Sequence, residues 1–480
     1  MTAIRILSCL ALLLSTATSS VVVGEIRGGR PGQLVEVCTE IAARVSTNSA
    51  VVLPRGCSAR HWFQSSNQLP SCIVQVGSPD DVSSILKIIG KHQAPFAVMS
   101  GGHTSNPGFS STSGVHISLE RLNQVVVSAD KTTAEIGFGA RWSEVFAKLE
   151  GTGLNVVGGR VVGPGVGGFT LGLTCDTVKN FNVVLPNGTM TTASATENKD
   201  LFFALKGGLN RFGIVTSATF FTHPQPGQVF GGYAMYPASS TSAVLNATMQ
   251  FYENSVDPKT QIITTTAASP LGPTTLVLFF HDEPRKPPAF KYFDGIPSLV
   301  NTLRARRFSD FVAVFPSQVV EMTNLRGAFA TMSTSKLTAP FLEAIKAETA
   351  AFGKIVSSRQ GRGIRVNYDI EPFTEYGKFE TDSAYLHSHS PLPLNLFFSW
   401  GREAEDGFWF SQMRASIERL KTVAIQEGIY SNDFTQFPNY ALANTTAEEL
   451  YGASNAARLR KIRADIDPLN IMSLTGGYEI

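Results

Sequence analysis

The chain of 480 residues is long enough for about two or three domains, each with a sizeable core. Apolar residues make up 43% and charged residues 16%, which argues against a disordered chain. A net charge of +2 without a basic run argues against an electrostatic nucleic-acid binder.

At the N-terminus, Arg5 precedes the apolar run Ile6–Leu14, and small polar residues follow to Ser20. That order predicts a secretory signal over residues 1–20, with Ala17 and Ser19 spaced for cleavage. The run is too short to span a bilayer and no later segment is long enough, so no membrane partner is expected. Export implies oxidising surroundings, and cleavage would remove Cys9. Cys38, Cys57, Cys72 and Cys175 remain, which permits one or two disulfides. The first three lie close enough in sequence for a pair, and all connectivities stay open. Neither a CxxC nor a Cys/His spacing points to a metal. Asn187-Gly-Thr, Asn246-Ala-Thr and Asn444-Thr-Thr are glycosylation sequons.

After an N-terminal segment (21–65), strands and helices alternate over 66–225. "SCIVQVG" reads as a strand, and Ser78-Pro79-Asp80-Asp81 opens a helix whose Val82, Ile85, Leu86 and Ile89 share one face. "APFAVMS" and "GVHISL" are short buried strands, and "QVVVSADKTTAEIGFG" is two strands around a turn. A helix follows from Ser143 to Leu149. "NVVLPNGTMTTAS" is a hairpin with Pro186-Asn187-Gly188 at its tip, followed by the helix "DLFFALKG" and the strand "GIVTSATFFTH".

The proline-rich stretch His223–Gln228 marks a boundary. Over 226–430 the strands "GGYAMYP", "QIITTTAA", "TTLVLFFHD", "IRVNYDI" and "LNLFFSW" are interspersed with helices at Thr241–Glu253, Pro340–Phe352 and Asp406–Glu427. This pattern predicts one sheet with helices on one face, an α+β unit. Residues 431–480 form a closing segment with a helix around Asn455–Ile462.

The 42 glycines cluster at strand ends: Gly101-Gly102, "GGRVVGPGVGG" (Gly158–Gly168) and "KGGLNRFG" (Lys206–Gly213). Successive amides in such turns form a concave nest for an anion, and three nests in one unit point to a nucleotide. Gly163 to Gly168 also spells G-x-G-x-x-G. A dinucleotide fold needs a strand before that motif and a helix opening on it. "FTLGLTCDTV" carries no helical period, so no such helix is expected.

"SGGHTSNPGFSSTSGVHISLERLN", "VVGGRVVGPGVGGFTLG", "TCDTVKNFNVVLPNG" and "DLFFALKGGLNRFGIVT" resemble successive motifs of the FAD-linked oxidases. More narrowly they resemble the secreted, fungal-type berberine-bridge-enzyme-like enzymes of the p-cresol methylhydroxylase/vanillyl-alcohol oxidase superfamily. "NYALANTTAEELYGASNAARLRKIRADIDPLNI" is similar to that family's closing signature. The resemblance implies an α+β fold: a two-part FAD-binding domain and a substrate domain whose single sheet is covered by helices.

It also implies site residues. Ser100, Gly101, Gly102, His103, Thr104 and Ser105 would form the pyrophosphate loop, with His103 bonded to the 8α carbon of FAD. Gly163, Gly165, Gly167, Gly168, Gly213, Ile214 and Asn439 would complete the cofactor contacts. Several relatives carry a second link through a cysteine; Val161 takes that place here, so a single link is expected and Cys175 reads as a core thiol. Tyr440 matches the family's tyrosine base, while other members use a carboxylate from the second domain's sheet, which "PLPLNLFFSW" does not supply.

The chain departs from the family pattern after Gly172, where relatives carry a further glycine-rich, aromatic segment; Leu209 also replaces a common glycine. The missing segment implies an open pocket and low flavin occupancy. The leading expectation is a secreted oxidase of an alcohol, sugar or secondary metabolite, with oxygen as acceptor. An oxidative cyclase or desaturase, or a non-catalytic secreted remnant, are the alternatives. The oligomeric state stays open.

Overall fold

Hydrophobic alternation along the strands produces three larger sheets. The computed structural model describes residues 31–54, 61–172, 174–315, 325–359, 364–373, 376–389 and 391–480. The expected signal segment, Cys57 and Leu173 lie outside these.

The first sheet joins β1 (Ala50–Val52), β2 (Cys72–Gln75), β4 (Val115–Ser118) and β3 (Phe96–Met99) in that order, parallel apart from β1. Buried strands of this kind read as unbroken apolar runs. Two helices accompany it. In α2 (Pro79–His92), Ser78 accepts from the Asp81 amide, Pro79 stands in the first turn, and Ile85, Leu86 and Ile89 are fully buried. The other, α1 (Pro31–Arg44), lies in the segment for which the sequence reading gave no element. A Cys38–Cys72 disulfide ties α1 to β2, which selects one of the open pairings.

The second sheet is antiparallel, in the order β5 (Val125–Val127), β6 (Thr133–Gly137), β9 (Ile214–Phe221), β7 (Val178–Val184), β8 (Met190–Ser194). Helices α3 (Trp142–Leu149) and α5 (Lys199–Leu205) complete the pattern read from the sequence. One expectation is corrected: a five-residue helix, α4 (Val166–Thr170), opens on the G-x-G-x-x-G stretch with Gly165 as its N-cap. Tertiary bonds set it up, Val166 N donating to Ala140 O (2.9 Å) and Trp142 N to Pro164 O (3.1 Å), so sequence periodicity gave no sign of it. It is entered from a loop, so the motif is still no dinucleotide turn.

The third sheet is eight-stranded and antiparallel. Its path runs from β10 (Val229–Pro237) through β12 (Thr274–His281), β11 (Thr260–Ala268), β14 (Arg365–Ile370) and β15 (Leu392–Trp400) to β13 (Arg326–Thr334). The last was not read from the sequence, because "RGAFATMST" lacks a β-branched run. Tyr368, Leu396, Phe398 and Trp400 share one core with helices Ala339–Ser358 and Asp406–Gln426. The opposite face carries Phe329, Asp369, Asn395 and Phe397, and there Phe329 and Phe397 pack with Trp62 and Phe63. The closing helix is longer than expected, Ala447–Ile466, and kinks at Gly452 (φ 72°). Beyond it, Arg211 donates to the carbonyls of Met472, Thr475, Gly477 and Tyr478, which fastens the C-terminus to the second sheet's loop. Among the described residues no helix is long and apolar enough to cross a membrane.

The disulfide closes a loop with a sequence separation of 34. The double variant Cys38→Ala/Cys72→Ala is expected to lose about 3–4 kcal/mol of stability, from loop-closure entropy restored to the unfolded chain. Denaturant unfolding of both forms measures it.

Candidate active site

The first apolar strand that ends in glycine builds the site. β3 stops at Met99, and Ser100 to Ser105 turn back with Gly102 at φ 66°. Among the described residues, the amides of Gly101 through Ser105 donate to no protein acceptor, while several of the loop's oxygens are engaged. Trp62 N donates to Gly102 O (2.9 Å), Ser66 Oγ to Thr104 O (2.9 Å), and Phe329 N to Ser105 Oγ (3.1 Å). A run of free amides held in a turn is the geometry that binds a pyrophosphate, so the residues present fit the expected cofactor.

The second glycine cluster backs this loop. A Cβ on Gly101 would stand 2.2 Å from Gly165 N, and one on Gly165 would meet Gly101 N at 2.2 Å, so the two backbones touch. Ser100 Oγ donates to Phe138 O (2.5 Å) and accepts from Gly167 N (3.2 Å). Gly163, at φ 119°, lies beside the His103 ring. That ring is stacked on Trp62, with centroids 4.2 Å apart and 18° between planes. His103 Nε2 is sealed from solvent with no partner among the described residues. Burial, with the Arg141 charge adding to it, lowers the imidazole to about 3, so it is neutral and keeps a lone pair at any physiological pH.

Carboxylates, which "PLPLNLFFSW" lacks, stand on and just beyond the neighbouring strand. Asn367, Asp369 and Glu371 alternate along and just beyond β14, a period-two pattern visible in "RVNYDIE" that sequence reasoning passed over. Glu371 is 3% exposed and takes a two-point contact from Arg160, Nη1–Oε2 2.9 Å and Nη2–Oε1 2.5 Å. Arg160 Nη2 also donates to the Tyr440 hydroxyl oxygen (3.1 Å), and that hydroxyl donates to Glu371 Oε1 (3.3 Å). Asp369 accepts from Thr265 Oγ1 (2.7 Å) and Asn395 Nδ2 (2.8 Å). Burial pushes the Tyr440 phenol and the Glu371 and Asp369 carboxyls up, and the Arg160 charge pulls all three back.

Phe329 connects the two halves, its ring 5.8 Å from that of Tyr440 and 6.2 Å from that of His103. Asn439 Nδ2 donates to Gly168 O (2.8 Å), and a Cβ on Gly172 would overlap Asn439 Oδ1, so Asn439 closes over the shortened turn. Gly213 and Ile214 stand apart from this cluster, at the start of β9 against Val184, where a Cβ on Gly213 would meet Val184 O at 2.6 Å. Leu209 adopts φ 57°, the left-handed backbone that favours glycine there. Cys175 is a fully buried thiol, pushed up by burial and the Asp176 charge. Trp62, Arg160, Phe329, Asp369 and Glu371 were not singled out from the sequence.

Two glycine substitutions separate contact from mere turn-making. Gly101→Ala is expected to cost about 1–3 kcal/mol by forcing the loops apart. A Cβ on Gly168 meets nothing within 4 Å, so Gly168→Ala is expected to be neutral or stabilising by up to about 1 kcal/mol, as in an open helix position. Thermal and denaturant unfolding distinguish the two signs.

Comparison with known proteins agrees with this geometry. Residues 70–194 match the family described as FAD binding domain. The chain is 30% identical over 458 residues to the FAD-dependent monooxygenase FUP4 of Fusarium proliferatum, covering 88% of this chain and 87% of the relative. It is 30% identical over 457 residues to the FAD-dependent monooxygenase tpcD of Cochliobolus heterostrophus, covering 87% and 86%. Its fold is similar to glucooligosaccharide oxidase from Acremonium strictum, a protein with 6-S-cysteinyl, 8α-N1-histidyl FAD (TM-score 0.73, 19% identity, 91% and 97% of the two chains). The BBE-like 1 protein of Physcomitrella patens is similar to the same degree (TM-score 0.73, 17% identity, 93% and 98%). The chain therefore belongs to the family of FAD-dependent oxidoreductases that includes these fungal FAD-dependent monooxygenases, and it shares the fold of the BBE-like 1 protein.

Proposed function

We propose that this protein is a secreted oxidase that holds FAD through a single covalent bond to His103 and oxidises a hydroxyl group of a small molecule, with oxygen as final acceptor. The observation that carries the reading is the meeting of two groups across Phe329: a neutral imidazole whose Nε2 is sealed from solvent on one side and a tyrosine–carboxylate pair on the other. FAD, when bound, supplies the hydride acceptor. The amides of Gly101 to Ser105 would hold its pyrophosphate, with Gly163, Gly165, Gly167 and Gly168 as the backing that fixes the loop.

Tyr440 keeps its proton in the resting protein, because burial and the Glu371 charge both disfavour the phenolate. Its oxygen therefore takes up a substrate hydroxyl proton only as its own proton moves to Glu371 Oε1. The net result is one proton stored on a buried carboxylate, away from solvent. Trp62, Phe63, Phe329 and Phe397, each under a tenth exposed, keep water from this path. Val161, in place of the second-link cysteine, supports a single bond. We assign the flavin domain to 66–225, the substrate domain to 226–430 and the closing segment to 431–480. The signal-like N-terminus, the Cys38–Cys72 bridge and the exposed sequon residues Asn187, Asn246 and Asn444 support export and glycosylation.

Colour is expected to stay with the acid-precipitated wild-type polypeptide, whereas His103→Ala is expected to release whatever FAD it binds. Tyr440→Phe is expected to retain flavin and lower turnover by about 10²–10⁴-fold. Peroxide release with a panel of oligosaccharides and aromatic alcohols measures the second effect. A fully active phenylalanine variant would remove Tyr440 from the chemistry.

A further inference from the structure

Arg160 is the one charged residue in the glycine cluster "GGRVVGPGVGG", and its neighbours explain how it reaches another sheet. Gly158 and Gly159 lie flat on the buried Trp142 indole, where Cβ atoms would come within 2.2 and 2.7 Å of the ring. This backbone path, closed to any larger residue, delivers the guanidinium to Glu371, 211 residues further on, and to Tyr440, 280 residues further on.

Hydrogen-bond direction gives the contact its meaning. A guanidinium only donates and a carboxylate only accepts, whereas a phenol does one of each. With Arg160 Nη2 donating to the Tyr440 oxygen, the single Tyr440 O–H is left to point at Glu371 Oε1. The two-point contact fixes the plane of the Glu371 carboxylate with that same oxygen towards Tyr440. The groups facing Glu371 are Arg160, Asp369 and Tyr440, and Arg365 in turn faces Asp369. Arg160 is thus the cation set directly against a buried acidic pair.

We propose that Arg160 is a positioning residue that aims the Tyr440 hydroxyl at Glu371 and keeps Glu371 charged as its proton acceptor. This rests on the reading of Tyr440 and Glu371 as the proton path and adds the residue that makes that path directional. Burial alone pushes the Glu371 carboxyl up, and Arg160 opposes it. The sign follows: without Arg160 the carboxyl titrates at still higher pH, so the acceptor is lost over a wider range from the acid side. With 35% of the Arg160 side chain still exposed, solvent screens part of the contact.

The test is an infrared pH titration of the flavin-loaded protein without substrate, with Glu371→Gln used to assign the Glu371 carboxyl band. In Arg160→Gln the midpoint of that band is expected to rise by about one pH unit or more. Arg160→Lys keeps the charge but not the two-point contact, and is expected to give a smaller rise. Because this variant retains a cation in the site, it also serves should the glutamine form fail to fold. A midpoint that is unmoved or lower in the folded variants overturns the proposal. The Tyr440→Phe turnover measurement tests the proton path by itself, so failure of one reading is distinguishable from failure of the other.

Discussion

The backbone of Gly101 lies against that of Gly165, close enough that neither position could carry a side chain without parting the loops. Much of the site follows from that contact. It sets the turn that presents His103, and it fixes the loop that carries Arg160 a few residues upstream. Glycine at these positions buys proximity, and the backbone entropy it costs is offset by a site that three distant stretches of chain can share.

The second constraint is electrostatic. Placing Glu371 and Asp369 on the inner face of a sheet leaves carboxylates with little water, an unfavourable arrangement unless a cation and hydrogen bonds compensate. Arg160, Thr265 and Asn395 supply them. Such a cluster adds little net stability compared with apolar packing. In the proposed proton path its value is chemical, because a carboxylate pushed up by burial is a better acceptor for the Tyr440 proton. The helix-covered face of the same sheet carries the apolar core, so one strand packs the core on one side and holds buried polar groups on the other.

Most elements of the fold were legible because their patterns are local. The helix at Pro79–His92 announces itself by Ser78, Pro79 and a spaced apolar face, and the hairpin by Pro186-Asn187-Gly188. What escaped depends on distant partners. The helix Val166–Thr170 is held by Ala140 and Trp142, and the strand Arg326–Thr334 by its pairing with Leu392–Trp400. In the site, the family motif pointed to His103 and Tyr440, while the acid that "PLPLNLFFSW" does not supply has its candidates on the neighbouring strand. Asp369 and Glu371 alternate with buried Tyr368 and Ile370, and only sheet pairing reveals which face meets Tyr440. Arg160 was passed over because its glycine neighbours drew the reading to the cofactor.

The central claim is that His103 is the attachment point of a flavin oxidoreductase, and proteolytic mapping of the flavin tests it most directly. Purified protein is digested, flavin-absorbing peptides are isolated, and the modified residue is located by mass spectrometry. The account predicts one flavopeptide, spanning the Ser100–Ser105 turn and modified at His103. A flavin on Cys175, or a fully active enzyme whose digest yields only free FAD, would contradict it.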